Sequence, residues 1–442
     1  MLDLRYRTIL SVAIPLMGSS FVQAIVMLTD ASFLSRYSTI AFDASGNGGL
    51  LYITLFIVLM GFGDGSQILM ARRIGEKKEN LLAQIFGTTL LANTIIAMLL
   101  FFLVQFTFPA LIDSFTHNKE IAVAEAEFVQ IRSFGLFFAV ISLAIIAYFT
   151  AMGKTLIVLM SAAITALSNI GLDYLLIFGK GGFPELGLKG AAWASTISDG
   201  LSALFLFSFL TFSAYRKKHQ MFAKLKFNRD SFISLVKIGS PIAFQGMAAL
   251  ITWTVFFIWI EQRGTFELTV SQNIRALYFL AFIPIWGFAG TTKTYISQYI
   301  GNRSFKEIGM IQRRIFILTT LFLILFFHGA LFYPEKLIAI INPEAQYLKA
   351  SAEILRFVFG STLIYGMTSV FFQTINGSGN TRFTFYIELI SVVIYIISAY
   401  LLIKVFDVSL YWVWAVEYIY FICMGGLSIA YLYFFKWQQK II

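Results

Sequence analysis

The side chains of this chain that can do chemistry are ionisable and hydrogen-bonding groups set inside long apolar runs. Asp30 stands late in the first run, with Gln23 two helical turns before it. Asn169 and Asp173 lie four residues apart in the fifth run, and Ser195 and Asp199 repeat that spacing in the sixth. On a helix, residues at that spacing project from one face. A charged group in hydrocarbon costs about 2.5–3.5 kcal/mol even on insertion scales, so each needs a partner or access to water. Two carboxyls, an amide carbonyl and a hydroxyl suit a hard cation such as Na⁺. They equally suit a proton, because adjacent carboxyls resist ionising together. The residue types leave that choice open. Ser and Asn in such runs also serve simply to join helices.

Other groups extend the set. Asp64 and Gln67 lie in the second run, Arg275 and Lys293 in the eighth, Glu388 in the eleventh and Glu417 in the twelfth. Arg275 is expected near the outer end of its run, reaching toward water. Gln23, Asp64, Gln67, Asp199, Arg275 and Lys293 are candidates to line a substrate cavity. The histidines His117, His219 and His328 are scattered without metal-ligand spacing, and Cys423 is the sole cysteine. With no nucleophile motif or nucleotide-binding loop, neither an enzyme nor ATP-driven transport is expected. No cofactor is expected beyond a coupling ion.

The elements that must hold these groups follow from composition. Hydrophobic residues make up 58% of the chain and charged residues only 13%, against about 25% charged in ordinary soluble domains. Twelve apolar runs of membrane-spanning length are present, approximately 9–36, 49–72, 84–108, 126–152, 155–178, 187–213, 232–260, 271–300, 313–333, 350–376, 383–404 and 408–435. The first is too long for a signal peptide and is expected to remain as a membrane helix. The net charge of +10 comes from Lys and Arg between the runs rather than from a nucleic-acid-binding face. With the N-terminus inside, roughly 20 basic residues fall on the inner side against about 8 outside, so both termini are expected in the cytoplasm.

A repeat is visible by eye. Pro15 in the first run and Pro241 in the seventh stand 226 residues apart (241 − 15). Gly61-Phe62-Gly63 through Ile74-Gly75 matches Gly287-Phe288-Ala289 through Ile300-Gly301 at the same offset, and Gly153-Lys154-Thr155 matches Gly379-Asn380-Thr381. One register at three places predicts an all-α membrane protein: twelve transmembrane helices in two tandem six-helix lobes around a central cavity. The lobes are expected at 1–213 and 232–442, joined by a basic cytoplasmic linker at 214–231. The polar cluster does not repeat, since Asp30 maps to Phe256, Asn169 to Tyr395, Asp173 to Ala399 and Ser195 to Phe421. Architecture is duplicated while the polar cluster belongs to one half, which points to function.

Four stretches resemble the multidrug and toxic compound extrusion (MATE) transporters. They are Ile14-Pro15 through Leu28-Thr29-Asp30, Gly61 through Ala71-Arg72-Arg73-Ile74-Gly75, Asp173-Tyr174-Leu175-Leu176-Ile177-Phe178-Gly179, and Gly182-Phe183-Pro184-Glu185-Leu186-Gly187 followed by Gly190-Ala191-Ala192. The resemblance implies a secondary antiporter of the cell membrane, exporting organic, multidrug-type cations in exchange for H⁺ or Na⁺ by alternating access. It implies a first-lobe cation site at Asp30, Asn169, Asp173 and, in place of a usual threonine, Ser195. Second-lobe carboxylates used by some members correspond to Ala249 and Tyr365, so that variant does not fit. Pro15 provides a place for the first helix to bend. The expected partners are a small-molecule substrate and the lipid bilayer, with no nucleic acid, and the chain is expected to act as a monomer in a bacterial cytoplasmic membrane. A flippase or exporter of lipid-linked precursors or polysaccharide is the alternative of the same fold. Its cue would be several basic residues lining both lobes, whereas here only Arg275 and Lys293 stand out, both in one lobe.

Overall fold

The computed structural model describes residues 1–115, 119–222, 225 and 227–439, and among these the chain is helical throughout with no strand. In chain order the helices are α1 (Tyr6–Tyr37), α2 (Thr39–Gly75), α3 (Leu82–Phe106), α4 (Phe108–Phe115), α5 (Lys119–Ser133), α6 (Gly135–Ala151), α7 (Leu156–Ile177), α8 (Leu188–Phe212) and α9 (Ala214–His219). The second half follows with α10 (Arg229–Glu261), α11 (Thr265–Gly301), α12 (Ile308–Phe327), α13 (Gly329–Phe332), α14 (Pro334–Ile341), α15 (Ala345–Gly377), α16 (Thr381–Tyr400), α17 (Leu410–Val413) and α18 (Val416–Phe434). Among the described residues eleven segments are long and apolar enough to cross a membrane alone, and α5 with α6 make a twelfth, bent by 43°.

The 226-residue register recurs in the element bounds. It carries both ends of α2 onto α11, both ends of α4 onto α14, and the start of α5 and end of α6 onto the ends of α15. Single residues obey it too: Lys77 and Arg303 take φ of 60° and 58°, and Gly153 and Gly379 take 71° and 83°. The expected continuous fourth run at 126–152 is where the copies part, because α15 is unbroken while its counterpart breaks at Phe134. The cause is polar. A Cβ on Gly135 would lie 2.9 Å from the Tyr52 hydroxyl and 3.2 Å from the Asp199 carboxylate, and Arg132 just before it turns to that carboxylate.

The helices pack into two compact units, one of residues 18–243 and the other of residues 1–17 with 244–442. Two helices are therefore shared. The residues of α1 up to Met17 pack with the second half of the chain, while those of α10 up to Ala243 pack with the first. Glycine makes both approaches possible. A Cβ on Gly61 of α2 would meet the Ala243 backbone nitrogen at 2.6 Å, and one on Gly287 of α11 would meet the Met17 nitrogen at 3.0 Å. Gly287 and Gly61, like Ala243 and Met17, are related by the same offset. Pro15 and Pro241, which lack an N–H to donate along the helix, fall two residues before each change of unit.

Candidate cation site

The site lies within the unit of residues 18–243, and the turn from α7 to α8 sets its geometry. Leu186 N–H donates to the Leu176 carbonyl at 2.9 Å and Gly187 N–H to that of Ile177 at 3.3 Å, folding the turn back onto the end of α7. Gly187 has φ of 54°, and a Cβ there would strike the Tyr37 ring at 2.5 Å. Gly190 lets α8 abut α7 directly, since a Cβ would lie 2.6 Å from the Leu176 oxygen. With the two helices clamped at this end, Asn169 and Ser195 face one another, and the Asn169 amide donates to Ser195 Oγ at 3.2 Å.

That bond uses the nitrogen of Asn169 and leaves its oxygen turned elsewhere. One helical turn on, Asp173 is fully buried, and its carboxyl lies within hydrogen-bond reach of that of Asp30 on α1. With both carboxyls ionised, Asp30 Oδ1, Asn169 Oδ1 and both Asp173 oxygens are buried with no donor among the described residues. Buried acceptors without a donor are costly. Acceptors converging in this way are matched by a cation, either a proton shared between the carboxyls or a hard metal ion such as Na⁺ taken as cargo.

Beside them stands a group that the reading of the residues passed over. Arg132 at the end of α5 donates to Asp199 Oδ2 at 2.9 Å and to Thr196 Oγ1 at 3.4 Å. Its guanidinium carbon lies 4.1 Å from the centre of the Tyr52 ring, a cation–π distance. Asp199 is therefore an ion-pair partner rather than an open ligand. Arg132 also acts electrostatically on Asp30. Three carboxyls and one guanidinium leave two uncompensated negative charges when all are ionised, which is room for cations. The available signal was a lone arginine early in the fourth apolar run, one turn before a glycine.

The remaining candidates lie as follows. Gln23 is exposed on α1, while on α2 Asp64 is half-buried and Gln67 is buried. Arg275 and Lys293 belong to the other unit. Arg275 lies over the Phe257 ring at 4.9 Å, and Lys293 is buried where α11 meets α15, close beside Gly377. His219 bonds to Tyr148 and Glu79, and His328 to Tyr333. His117 lies outside the described residues.

Comparisons with known proteins agree with this architecture. The sequence profile of the MatE family matches residues 15–175 and 241–401, two stretches in the same 226-residue register. A Thermotoga maritima protein named as a probable multidrug resistance protein, NorM, is 23% identical over 445 residues, covering 99% of this chain and 94% of its own. A Bacillus subtilis protein named as a probable multidrug resistance protein, YoeA, is 22% identical over 447 residues, covering 97% and 93%. Among solved structures, a MOP superfamily transporter from Pyrococcus furiosus superposes with a TM-score of 0.87 at 17% identity, covering 97% of this chain and 94% of that one. The Vibrio cholerae MATE transporter VcmN superposes with a TM-score of 0.86 at 16% identity, covering 98% of each. Helices of membrane-spanning length, a duplicated register and a match over both halves lead to one assignment: this chain is a multi-pass membrane protein of the MatE family, a family of transporters and not of enzymes.

Proposed function

We propose that this chain is a secondary active antiporter that exports organic compounds, cationic and of the multidrug kind, in exchange for H⁺ or Na⁺ by alternating access. The coupling cation binds at Asp30, Asn169, Asp173 and Ser195. One observation carries the reading: two adjoining buried carboxyls and an amide oxygen present acceptors to one another with no donor among them. The names of the relatives, as multidrug resistance proteins, support the substrate class. The positions of Lys and Arg support a cytoplasmic-membrane topology with both termini inside. Halves at 1–213 and 232–442, joined through 214–231, belong to the same reading, as does action as a monomer.

Coupling requires that cation and substrate prefer different states, since a ligand with equal affinity for both shifts nothing. Asp30 is well placed for this, because it stands on a helix whose first residues pack in the other unit. Neutralising Asp30 changes which groups α1 must satisfy, and Pro15 lowers the cost of bending that helix between the units. The test is efflux of a fluorescent cation from proteoliposomes under an imposed H⁺ or Na⁺ gradient, with Asp30→Asn and Asp173→Asn alongside wild type. Gradient-driven efflux that either substitution abolishes in folded protein supports the reading and names the ion. If no gradient moves any cationic dye, the cationic substrate is wrong, and anionic or lipid-linked substrates are next.

A further inference from the structure

The unit of residues 1–17 and 244–442 holds a carboxyl group that the proposed cation site does not use. Glu417 on α18 is 2% exposed, inside an aromatic core that includes Trp414, Tyr278, Tyr395 and Phe256. Ion pairs of this unit such as Arg5 with Asp3 and Arg263 with Asp407 do not involve it. Three neutral donors from three other helices converge on it. Tyr278 of α11 donates to Oε2 at 2.9 Å, Tyr395 of α16 to Oε1 at 3.0 Å, and the Trp253 indole of α10 to Oε1 at 3.4 Å. Tyr395 occupies the position equivalent to Asn169 in the other half.

From this geometry we propose that Glu417 is a second proton-binding site, separate from the Asp30–Asp173 pair, with Tyr278 and Ser361 as the hydroxyl switch that admits the proton. A metal ion does not fit, because the donor hydrogens already point at both carboxylate oxygens and no cluster of metal-ligating side chains forms there among the described residues. A proton fits without leaving any group unsatisfied. Oε1 must stay an acceptor, since an indole N–H can only donate. Oε2 faces a hydroxyl, which can reverse. When a proton from water binds Oε2, the acid donates to Tyr278 Oη, and the Tyr278 hydroxyl hydrogen turns to Ser361 Oγ, which is within hydrogen-bond reach. Ser361 can accept because its own hydrogen is committed to the Val358 carbonyl at 2.8 Å. The O–H bond formed on Oε2 replaces the one broken in the hydronium ion that supplies the proton, which leaves as water, and no other covalent bond is made or broken.

The charged and titratable surroundings are few. On α16, Glu388 is 4% exposed and takes the Tyr420 hydroxyl of α18, and the Tyr420 ring packs on Tyr395 at 5.7 Å. Tyr365 of α15 acts electrostatically on Tyr278. On α18 itself the Tyr418 hydroxyl turns away, to the Phe357 carbonyl. Arg275, on α11, lies over Phe257, whose ring packs on that of Trp253 at 5.6 Å. Tyr and Trp hydrogen bonds therefore stand where the Asp30 site has bare acceptors.

The experiment is pH-difference infrared spectroscopy of the full-length protein in lipid, following the C=O stretch of protonated carboxyl groups. A pH-dependent component that disappears in Glu417→Gln and persists in Asp30→Asn/Asp173→Asn is the expected result. Tyr278→Phe removes the switch and should move the midpoint of that component by about one pH unit or more, the scale of one hydrogen bond to a charged group. The proposal is overturned if Glu417→Gln leaves every pH-dependent component intact. Should Glu417→Gln fail to fold, midpoints unmoved in both Tyr278→Phe and Tyr395→Phe overturn it equally. Because the readout needs no transport, it stands or falls apart from the antiport reading.

Discussion

Asp199 offers a test of how charge is distributed in the unit of residues 18–243, because it is predicted to control cation binding without being a ligand. Its pair with Arg132 has side-chain exposures of 12% for the arginine and 30% for the aspartate. An exposed pair is worth at most about 1 kcal/mol, and breaking a fully buried one costs about 3–5 kcal/mol. This half-covered pair falls between, at about 2–3 kcal/mol. In Asp199→Asn the guanidinium loses its carboxylate, and Asp30 and Asp173 are the carboxyls of the cluster that still act on it. The uncompensated charge of the cluster falls from two to one, and an incoming cation must now compete with Arg132 for the Asp30–Asp173 pair. A competition of about 2–3 kcal/mol corresponds to roughly 30- to 150-fold weaker apparent cation affinity. The assay is the half-saturating Na⁺ or H⁺ concentration for dye efflux in proteoliposomes. Arg132→Gln/Asp199→Asn removes both members, restores two uncompensated charges and should return the value to within a few-fold of wild type. The reasoning is refuted if Asp199→Asn leaves the half-saturating concentration unchanged, or if the double variant is folded yet as impaired as the single one.

Other expectations are more local. Gly61→Ala should lower the thermal midpoint in detergent by an amount matching about 1–3 kcal/mol of overpacking, because the Ala243 atoms at 2.6 Å are backbone and Cβ and cannot rotate away. Gly49→Ala, where a Cβ would meet nothing within 4 Å, is the control and should be neutral. Between α8 and α10, burial holds the His219 imidazole below its ordinary range, and the Lys218 and His219 contacts hold the Glu79 carboxyl below its own. Both groups bind fewer protons when docked than when free, so docking of α9 is at full strength above about pH 6.5 and weakens as pH falls through that value. Hydrogen exchange in α9, corrected for intrinsic rate, should report this. In His219→Ala the step near pH 6.5 should vanish.

Much of the architecture could be read from the chain because membrane helices satisfy their own backbone groups, which ties span length to apolar run length. The runs at 155–178 and 187–213 end within a residue of α7 and α8. Where polar residues carry a helix beyond its apolar run, hydropathy stops short. Thus α2 begins at Thr39 rather than near 49, through a stretch holding Asp43 and Asn47, and the Asn47 amide is satisfied by Glu125 of α5. The spacing of Asn169 and Asp173 placed them on one face, and Asp30 and Ser195, read from the sequence as members of the same site, stand beside them in the structure. Arg132 escaped notice because its meaning depends on Asp199, 67 residues away, and on a helix break that no local pattern announces. The surroundings of Glu417 were equally out of reach, since its three donors come from helices separated by 164, 139 and 22 residues.

The sharing of α1 and α10 also bears on the order of synthesis. Residues 1–17 leave the ribosome before residues 244–442, yet the surface they complete belongs to residues 244–442 and does not exist until the second half has been made. The first half, for its part, stays unfinished until Ala243 has been added. Neither half of the chain can therefore mature as an independent piece. Fragments cut between α8 and α10 should be unstable when expressed alone and should recover only when coexpressed, each lending the other the opening turns of its first helix.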